Sequence, residues 1–383
     1  MAAEGGNARD RAVRVVGIAG GGQLAQMMLP AAAALGLEVV VLDPDPDCSA
    51  ASEAQGVVVG EFDSAPALRE LAARSDVLTF EIERINAGAL AELEREGRIV
   101  RPSAATLATI QDKLEQKRFL ARHGIPTSDF AAWAPGESLP RGLPCVWKAR
   151  RDGYDGRGVA ILRDETALAA LPDAPALVEA LVDIDYELAV LVARGHDGEL
   201  LHYPVVEIVM DAAAHVMDTV VAPAVAPAAI VARACELATR VAEAFDYVGI
   251  LALEFFVDRA GQVLVNEVSP RPHNSGHYTI EACATSQFEQ HLRAVAGLPL
   301  GSATLRAAAV TFNVLGAPGA RGKPRYIGFE RTDADVFVHC YDKPEVRPGR
   351  KMAHVTVLAA DREAALVRAA AIKPGIRVEG TDV

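Results

Sequence analysis

The sequence predicts an α/β and α+β protein of three domains. At 383 residues the chain is too long for one ordinary core. Its first hundred residues alternate strand and helix signals. The stretch that follows holds strand pairs between two helices, and the last stretch holds short strands closed by a helix. The boundaries read 1–105, 106–300 and 301–383, with Pro299-Leu300-Gly301-Ser302 as the second linker.

In the first domain, strands at 13–18, 38–43, 56–59 and 76–80 are separated by helices at 23–35 and 65–74, a parallel βαβ pattern. The second domain opens with one helix over 106–123 and ends with another near 287–296. A lobe over about 128–205 carries several strand pairs. The third domain has strands at 307–315, 335–340 and 353–358, then a helix over 361–371.

Half of the residues are apolar, enough for sizeable cores, while a net charge of −13 argues against an extended nucleic-acid surface. Any phosphate ligand must therefore meet locally concentrated cations. Five cysteines, at 48, 145, 235, 283 and 340, lack paired or metal-ligand spacing and fit free thiols in a reducing cytoplasm. The N-terminal residues lack a basic, apolar leader. The longest apolar run, near 220–232, is broken by Pro223 and Pro227, so no membrane span is expected.

Val146-Trp147-Lys148 ends a strand and Val159 begins another, with Gly153, Gly156 and Gly158 between them beside Arg150, Arg151 and Arg157. Glycines let backbone N–H groups approach an anion and Lys148 supplies a point charge, so the segment reads as a phosphate clamp. The lysine precedes the glycines, unlike a P-loop. A solvated hairpin tip has the same composition. A second glycine signal, Gly20-x-Gly22-x-x-Ala25 with Asp43 ending the next strand, satisfies the dinucleotide fingerprint. On that turn Gln23 and Leu24 are expected to offer free N–H groups to a phosphate, of a nicotinamide dinucleotide or of a sugar phosphate.

Strands at 251–257 and 262–268 flank the turn Asp258-Arg259-Ala260-Gly261. In a regular hairpin Val257 faces Gln262 and Glu254 faces Val265. Glu254 and Glu267 then lie diagonally on one face, about 7 Å apart, suited to one or two Mg²⁺ ions. Asn266 points to the other face by the same parity. A hairpin with one solvated face carries two glutamates equally well.

Asn266-Glu267-Val268-Ser269-Pro270-Arg271-Pro272-His273-Asn274-Ser275-Gly276-His277 resembles the signature of the N5-carboxyaminoimidazole ribonucleotide synthetase family of ATP-grasp enzymes. The likeness extends through Thr79-Phe80-Glu81-Ile82-Glu83, Gly153-Tyr154-Asp155-Gly156-Arg157-Gly158, residues 286–300, and Tyr341-Asp342-Lys343-Pro344 to Lys351. It implies a Rossmann-like pre-ATP-grasp domain, a two-lobed ATP-grasp region and a small C-terminal β-rich domain. The implied reaction joins bicarbonate to the exocyclic amine of 5-aminoimidazole ribonucleotide through carboxyphosphate, with ATP and Mg²⁺, in a cytoplasmic homodimer of purine biosynthesis.

The resemblance also implies roles. Lys113, Lys148, Gly153, Tyr154, Asp155, Gly156, Arg157, Gly158, Val159, Glu179, Ala180, Leu181, Val182, Glu187, Asn266 and Glu267 match nucleotide-binding positions, with Glu179 to Val182 reading adenine and Glu187 the ribose. Glu254 and Glu267 match the metal ligands. Gln23, Leu24, Glu81, Tyr154, Asp155, Arg157, His273, Asn274, Lys343 and Arg350 match the ribonucleotide pocket, and Asp155, Arg157, Lys343 and Arg350 the catalytic set. His277, His291 and His339 receive no chemistry. Ala25 and Gln26 depart from a Gly-Arg pair, Ala353 replaces a common glycine, and 207–211 lacks a histidine. Rival readings are a formate-dependent glycinamide ribonucleotide transformylase, a nicotinamide oxidoreductase and a silent ATP-binding regulator.

Overall fold

The computed structural model describes residues 13–151, 153, 158–210, 217–330 and 333–382. Its first unit comprises β1 (Val15–Ala19), α1 (Gln23–Ala34), β2 (Glu38–Asp43), β3 (Gly56–Val59), α2 (Ala65–Ala73), β4 (Val77–Phe80), α3 (Ala87–Arg95) and β5 (Ile99–Val100). The strands form a parallel sheet ordered β3-β2-β1-β4-β5. Val39 to Leu42 of β2 and Val77, Leu78 and Phe80 of β4 are buried and apolar, as strands covered on both faces require. Ser64 and Asn86 cap α2 and α3, each accepting an orphan backbone N–H.

The single helix expected over 106–123 is two helices, α4 (Ala104–Ile110) and α5 (Lys113–Arg122). Asp112 interrupts it, because its carboxylate accepts from the N–H groups of Leu114 and Glu115 and begins a new helix. Next come β6 (Phe130–Trp133), β7 (Cys145–Ala149), β8 (Val159–Leu162), α6 (Glu165–Ala169) and β9 (Ala176–Ala180). Their four strands make a separate antiparallel sheet, β6-β9-β7-β8, around Trp133 and Trp147. This lobe's sheet ends at Ala180, not near 205 as expected, because the following strands join the central sheet.

Those strands are β10 (Ile184–Arg194), β11 (Leu200–His202), β12 (Val206–Met210) and β13 (Met217–Ala222). After α7 (Ala228–Ala244) come β14 (Gly249–Asp258), β15 (Val263–Ser269), α8 (Thr279–Ala282) and α9 (Gln287–Ala296). α7 buries Ala234, Leu237, Ala238, Val241 and Ala242, an apolar stripe at helical spacing, against the sheet. α9 carries Phe288, Leu292 and Val295 onto Leu24, Ala25 and Met28 of α1, locking the first unit to the central one.

The C-terminal region contains β16 (Ala308–Leu315), β17 (Arg321–Ile327), β18 (Val336–Cys340), β19 (Lys351–Ala359), α10 (Arg362–Ile372) and β20 (Arg377–Asp382). β17 and β20 were not expected. The region has its own core, yet β16, β19 and β18 continue the central sheet in the order β15-β14-β10-β12-β13-β16-β19-β18. Among the described residues no helix is long and apolar enough to cross a membrane.

Candidate active site

The hairpin β14–β15 departs from regular register at the position that matters. Asp258 faces Gln262 across a three-residue loop with Gly261 at φ 77°, so Val257 pairs with Val263, not Gln262. A bulge then absorbs Asn266 as an extra residue, and Glu254 lies directly opposite Glu267. The diagonal placement is thereby corrected: the two carboxylates are cross-strand partners. The bulge also re-aims Asn266, expected on the far face, so that its Oδ1 accepts from Lys148 Nζ at 2.9 Å.

Like charges so placed repel. Burial, reinforced by Glu267 and Glu187, pushes the Glu254 carboxyl up to about 8. Burial also works to raise Glu267, but an ion pair with Lys113, the first residue of α5, outweighs it and holds Glu267 below the usual range. His273 Nε2 lies 3.7 Å from Glu254 Oε1, while its Nδ1 meets Ser275 Oγ at 2.9 Å. Two facing carboxylates fit a hard divalent cation that completes its oxygen shell from phosphate and water. No group of three or more metal-ligating side chains occurs among the described residues.

Lys148 on β7 also lies 3.1 Å from Glu179 Oε2 at the end of β9. Burial works to raise Glu179, but Lys117 and Lys148 outweigh it and hold the carboxyl at about 2. Ala180 donates its N–H to Asp129 O, whereas the backbone N–H groups of Leu181 and Val182 take no partner among the described residues. Glu187 on β10 is pushed up to about 7 by burial, with Lys148 opposing. Gly158 has φ 72°, and a Cβ there would crowd Ala149 Cβ at 3.2 Å and Gly153 Cα at 3.3 Å. Val159 pairs with Lys148 across β7–β8. Tyr154, Asp155, Gly156 and Arg157 lie outside the described residues. Arg150 serves structure more than the loop: it forms a two-pronged pair with Asp112, the closest contact 2.6 Å. A cleft of about 500 Å³ is lined by Glu83, Gln111, Lys113, Arg151, Gly153 and Glu267, among others.

The first-domain turn differs from its expected form. Leu24 N–H is not free: Glu81 Oε2 accepts it at 2.9 Å along with that of Ala25 at 3.0 Å, and Oε1 takes Gly22 N–H at 2.6 Å. Glu81, buried, is the acceptor at this helix N-terminus: burial pushes its carboxyl up, while the N–H groups of Ala25 and Gly22 oppose that. A Cβ on Gly20 would stand 2.4 Å from Glu81 Cγ, and one on Gly22 2.6 Å from Oε1. Asp43 is likewise engaged, accepting from Gly21 N–H at 3.0 Å. The glycines of the dinucleotide fingerprint make room for the protein's own carboxylate.

The third region closes on this turn. Gln26 Nε2 donates to Asp342 Oδ2 at 3.0 Å, and Ser49 Oγ donates to Tyr341 O at 2.8 Å. Lys343 donates to Lys351 O at 2.8 Å and lies 5.3 Å from the Tyr341 ring centroid. Arg350 donates to Glu345 O. Lys351, absent from the sequence-derived set, draws Glu254 downward electrostatically. Arg271 was also missed: it bridges to Glu83 Oε1 at 3.0 Å and tethers the segment after β15 to the first unit. Asn274 Nδ2 meets Met217 Sδ at 3.3 Å, and Gln23 is half-buried at the start of α1. His291, fully buried, accepts from Ile250 N–H and meets Thr79 Oγ1 at 2.8 Å, an architectural role.

Comparison with known proteins follows the same three regions. Residues 13–111 match the ribonucleotide synthetase preATP-grasp domain, 118–288 the ATP-grasp domain, and 309–368 the phosphoribosylaminoimidazole carboxylase C-terminal domain. The crystal structure of N5-carboxyaminoimidazole ribonucleotide synthetase from Thermotoga maritima is 43% identical, with TM-score 0.88, covering 96% of this chain and 99% of that one. The N5-carboxyaminoimidazole synthase of Aspergillus clavatus, in complex with ADP and 5-aminoimidazole ribonucleotide, is 34% identical with TM-score 0.82, covering 94% and 98%. The chloroplastic phosphoribosylaminoimidazole carboxylase of Vigna aconitifolia is 39% identical over 367 residues, which are 90% of this chain but span only 64% of the plant protein. The chain belongs to the N5-carboxyaminoimidazole ribonucleotide synthetase family of ATP-grasp proteins.

Proposed function

We propose that this protein uses ATP to join bicarbonate to the exocyclic amine of 5-aminoimidazole ribonucleotide, giving N5-carboxyaminoimidazole ribonucleotide, ADP and phosphate in purine biosynthesis. The observation that carries the reading is the Glu254–Glu267 pair set among Lys113, Lys148 and Asn266, with Gly153 lining the same cleft as Lys113 and Glu267. In the aqueous reaction bicarbonate is a poor electrophile. Transfer of the γ-phosphoryl group to its oxygen makes carboxyphosphate, and attack by the amine on the carboxyl carbon expels phosphate. That intermediate must be kept from water. The glycine loop over 153–158 is the segment assigned to cover it.

Lys113 and Lys148 neutralise phosphate charge in this reading. Leu181 and Val182 offer backbone to adenine, and Glu187, kept partly protonated near neutrality, faces the ribose hydroxyls. Glu254 and Glu267 would hold Mg²⁺, which would supply charge neutralisation to the phosphates. Asp155 orients the amine, with Arg157 beside it; Lys343 and Arg350 hold the ribose phosphate. Tyr154, His273, Asn274, Gln23, Leu24 and Glu81 complete the pocket, Glu81 through the backbone turn that it organises. The five cysteines, free among the described residues, suit a cytoplasmic location, and a homodimer is the assembly proposed.

The test is ADP release with each acceptor in turn. Production requiring both bicarbonate and 5-aminoimidazole ribonucleotide is expected. Release dependent on formate and glycinamide ribonucleotide, or nucleotide binding without turnover, would replace the proposal.

A further inference from the structure

Lys117 on α5 is buried to 2% exposure and takes no part in the chemistry above. Its ammonium donates to Thr127 Oγ1 at 2.6 Å and Ser128 Oγ at 3.0 Å and stands 3.3 Å from Glu179 Oε1. Glu179, also 2% exposed, is shared: its other oxygen accepts from Ser128 at 2.7 Å and lies 3.1 Å from Lys148 Nζ. Two lysines thus flank one carboxylate. Burying three ionised groups is costly, and apolar side chains of similar volume would often serve stability as well. The arrangement does something that an apolar one cannot. A lone Glu179–Lys148 pair would be neutral, with Lys148 held to its partner. With Lys117 present the cluster carries one excess positive charge, and Lys148 is the member that reaches the hairpin, where its Nζ donates to Asn266 beside the cleft-lining Glu267. Glu267 of the hairpin has its own counter-ion in Lys113.

We propose that Lys117 is a positioning residue of the nucleotide site, compensating Glu179 from α5 so that the charge of Lys148 remains available to phosphate. This rests on the reading of that site as an ATP site. It also ties the lobe of β6–β9 to α5 at the point where the nucleotide is grasped, since Lys148 and Glu179 belong to the lobe and Lys117 does not.

The experiment is calorimetric titration of the full chain with ADP in Mg²⁺ and, separately, with 5-aminoimidazole ribonucleotide. Lys117→Met, and Lys117→Gln as a polar variant that spares the hydroxyl partners, should each weaken ADP binding about tenfold, the worth of roughly one charge-assisted contact. Ribonucleotide binding should change less than about twofold, well within one hydrogen bond's contribution. Unchanged ADP binding in either variant, or equal losses for both ligands, would overturn the inference. Failure of the unaltered protein to bind ADP would instead overturn the ATP-site reading beneath it.

Discussion

Two glycine-rich turns in this molecule carry the same sequence logic and end in opposite states. At Gly20–Gly22 the backbone N–H groups converge on an anion, and the anion is the protein's own Glu81. At 148–159 the described glycines stand beside Lys148 and Lys113, which reach Asn266 and Glu267 of a hairpin bordering an open cleft. The first turn is internally satisfied and joins domains; the second has capacity left for a ligand. A glycine pattern therefore reports that a backbone approaches an anion closely, and the neighbouring charges decide whose anion it is.

The largest effect expected from this contrast is at the hairpin. Glu267→Gln should lower kcat by at least about a hundredfold, the scale of losing one electrostatic group at a reacting centre, while ribonucleotide binding changes little. Steady-state kinetics paired with ribonucleotide titration reads the split, and equal losses in both would dissolve the division of labour between the regions.

At the other turn the loss should be in stability. Glu81→Ala leaves three backbone N–H groups of a buried helix start without their acceptor, at a cost of about 3 kcal/mol. Chemical denaturation measures it; an unchanged midpoint would mean that the turn does not depend on its internal anion.

The interface between these regions has a pH signature through His291, whose burial depresses its pKa to about 3 from 6.5. The unfolded chain takes up a proton that the folded one refuses, so this contribution is full above pH 6.5 and is lost as pH falls towards 3. Relative to His291→Gln, the unaltered protein should lose up to about 1.4 kcal/mol more per pH unit in that window. Parallel pH–stability profiles would contradict it. The smallest effect is a null one: titration with reduced nicotinamide dinucleotide should leave its fluorescence unchanged, because Asp43 and the glycine turn are already engaged.

The alternation of the first domain was legible in the chain because buried parallel strands are uninterrupted apolar runs. The carboxylate hairpin was legible too, as two strands around Asp258-Arg259-Ala260-Gly261. Its register was not, since a one-residue bulge at Asn266 leaves no mark in apolar periodicity. Asp112 could have been found: an Asp two and three residues before Leu114 and Glu115 is a cap signal inside the segment read as one helix. β17 escaped because Arg321, Lys323, Pro324 and Arg325 read as loop. Lys117 drew no reading from the sequence, and only the fold brings Glu179 to it from 62 residues away, 179 minus 117. The continuation of the central sheet through β13 and β16 crosses a linker that composition marks as a boundary. Residues 154–157, on which the sequence placed the most chemistry, are not among those described.

A crystal structure grown with ADP and Mg²⁺ tests the central contrast most directly. The account predicts phosphate density between Lys148 and the Glu254–Glu267 pair, with Glu81 still occupying the first-domain turn. Phosphate density at Gly20–Gly22 with Glu81 displaced, and none at the hairpin, would contradict it.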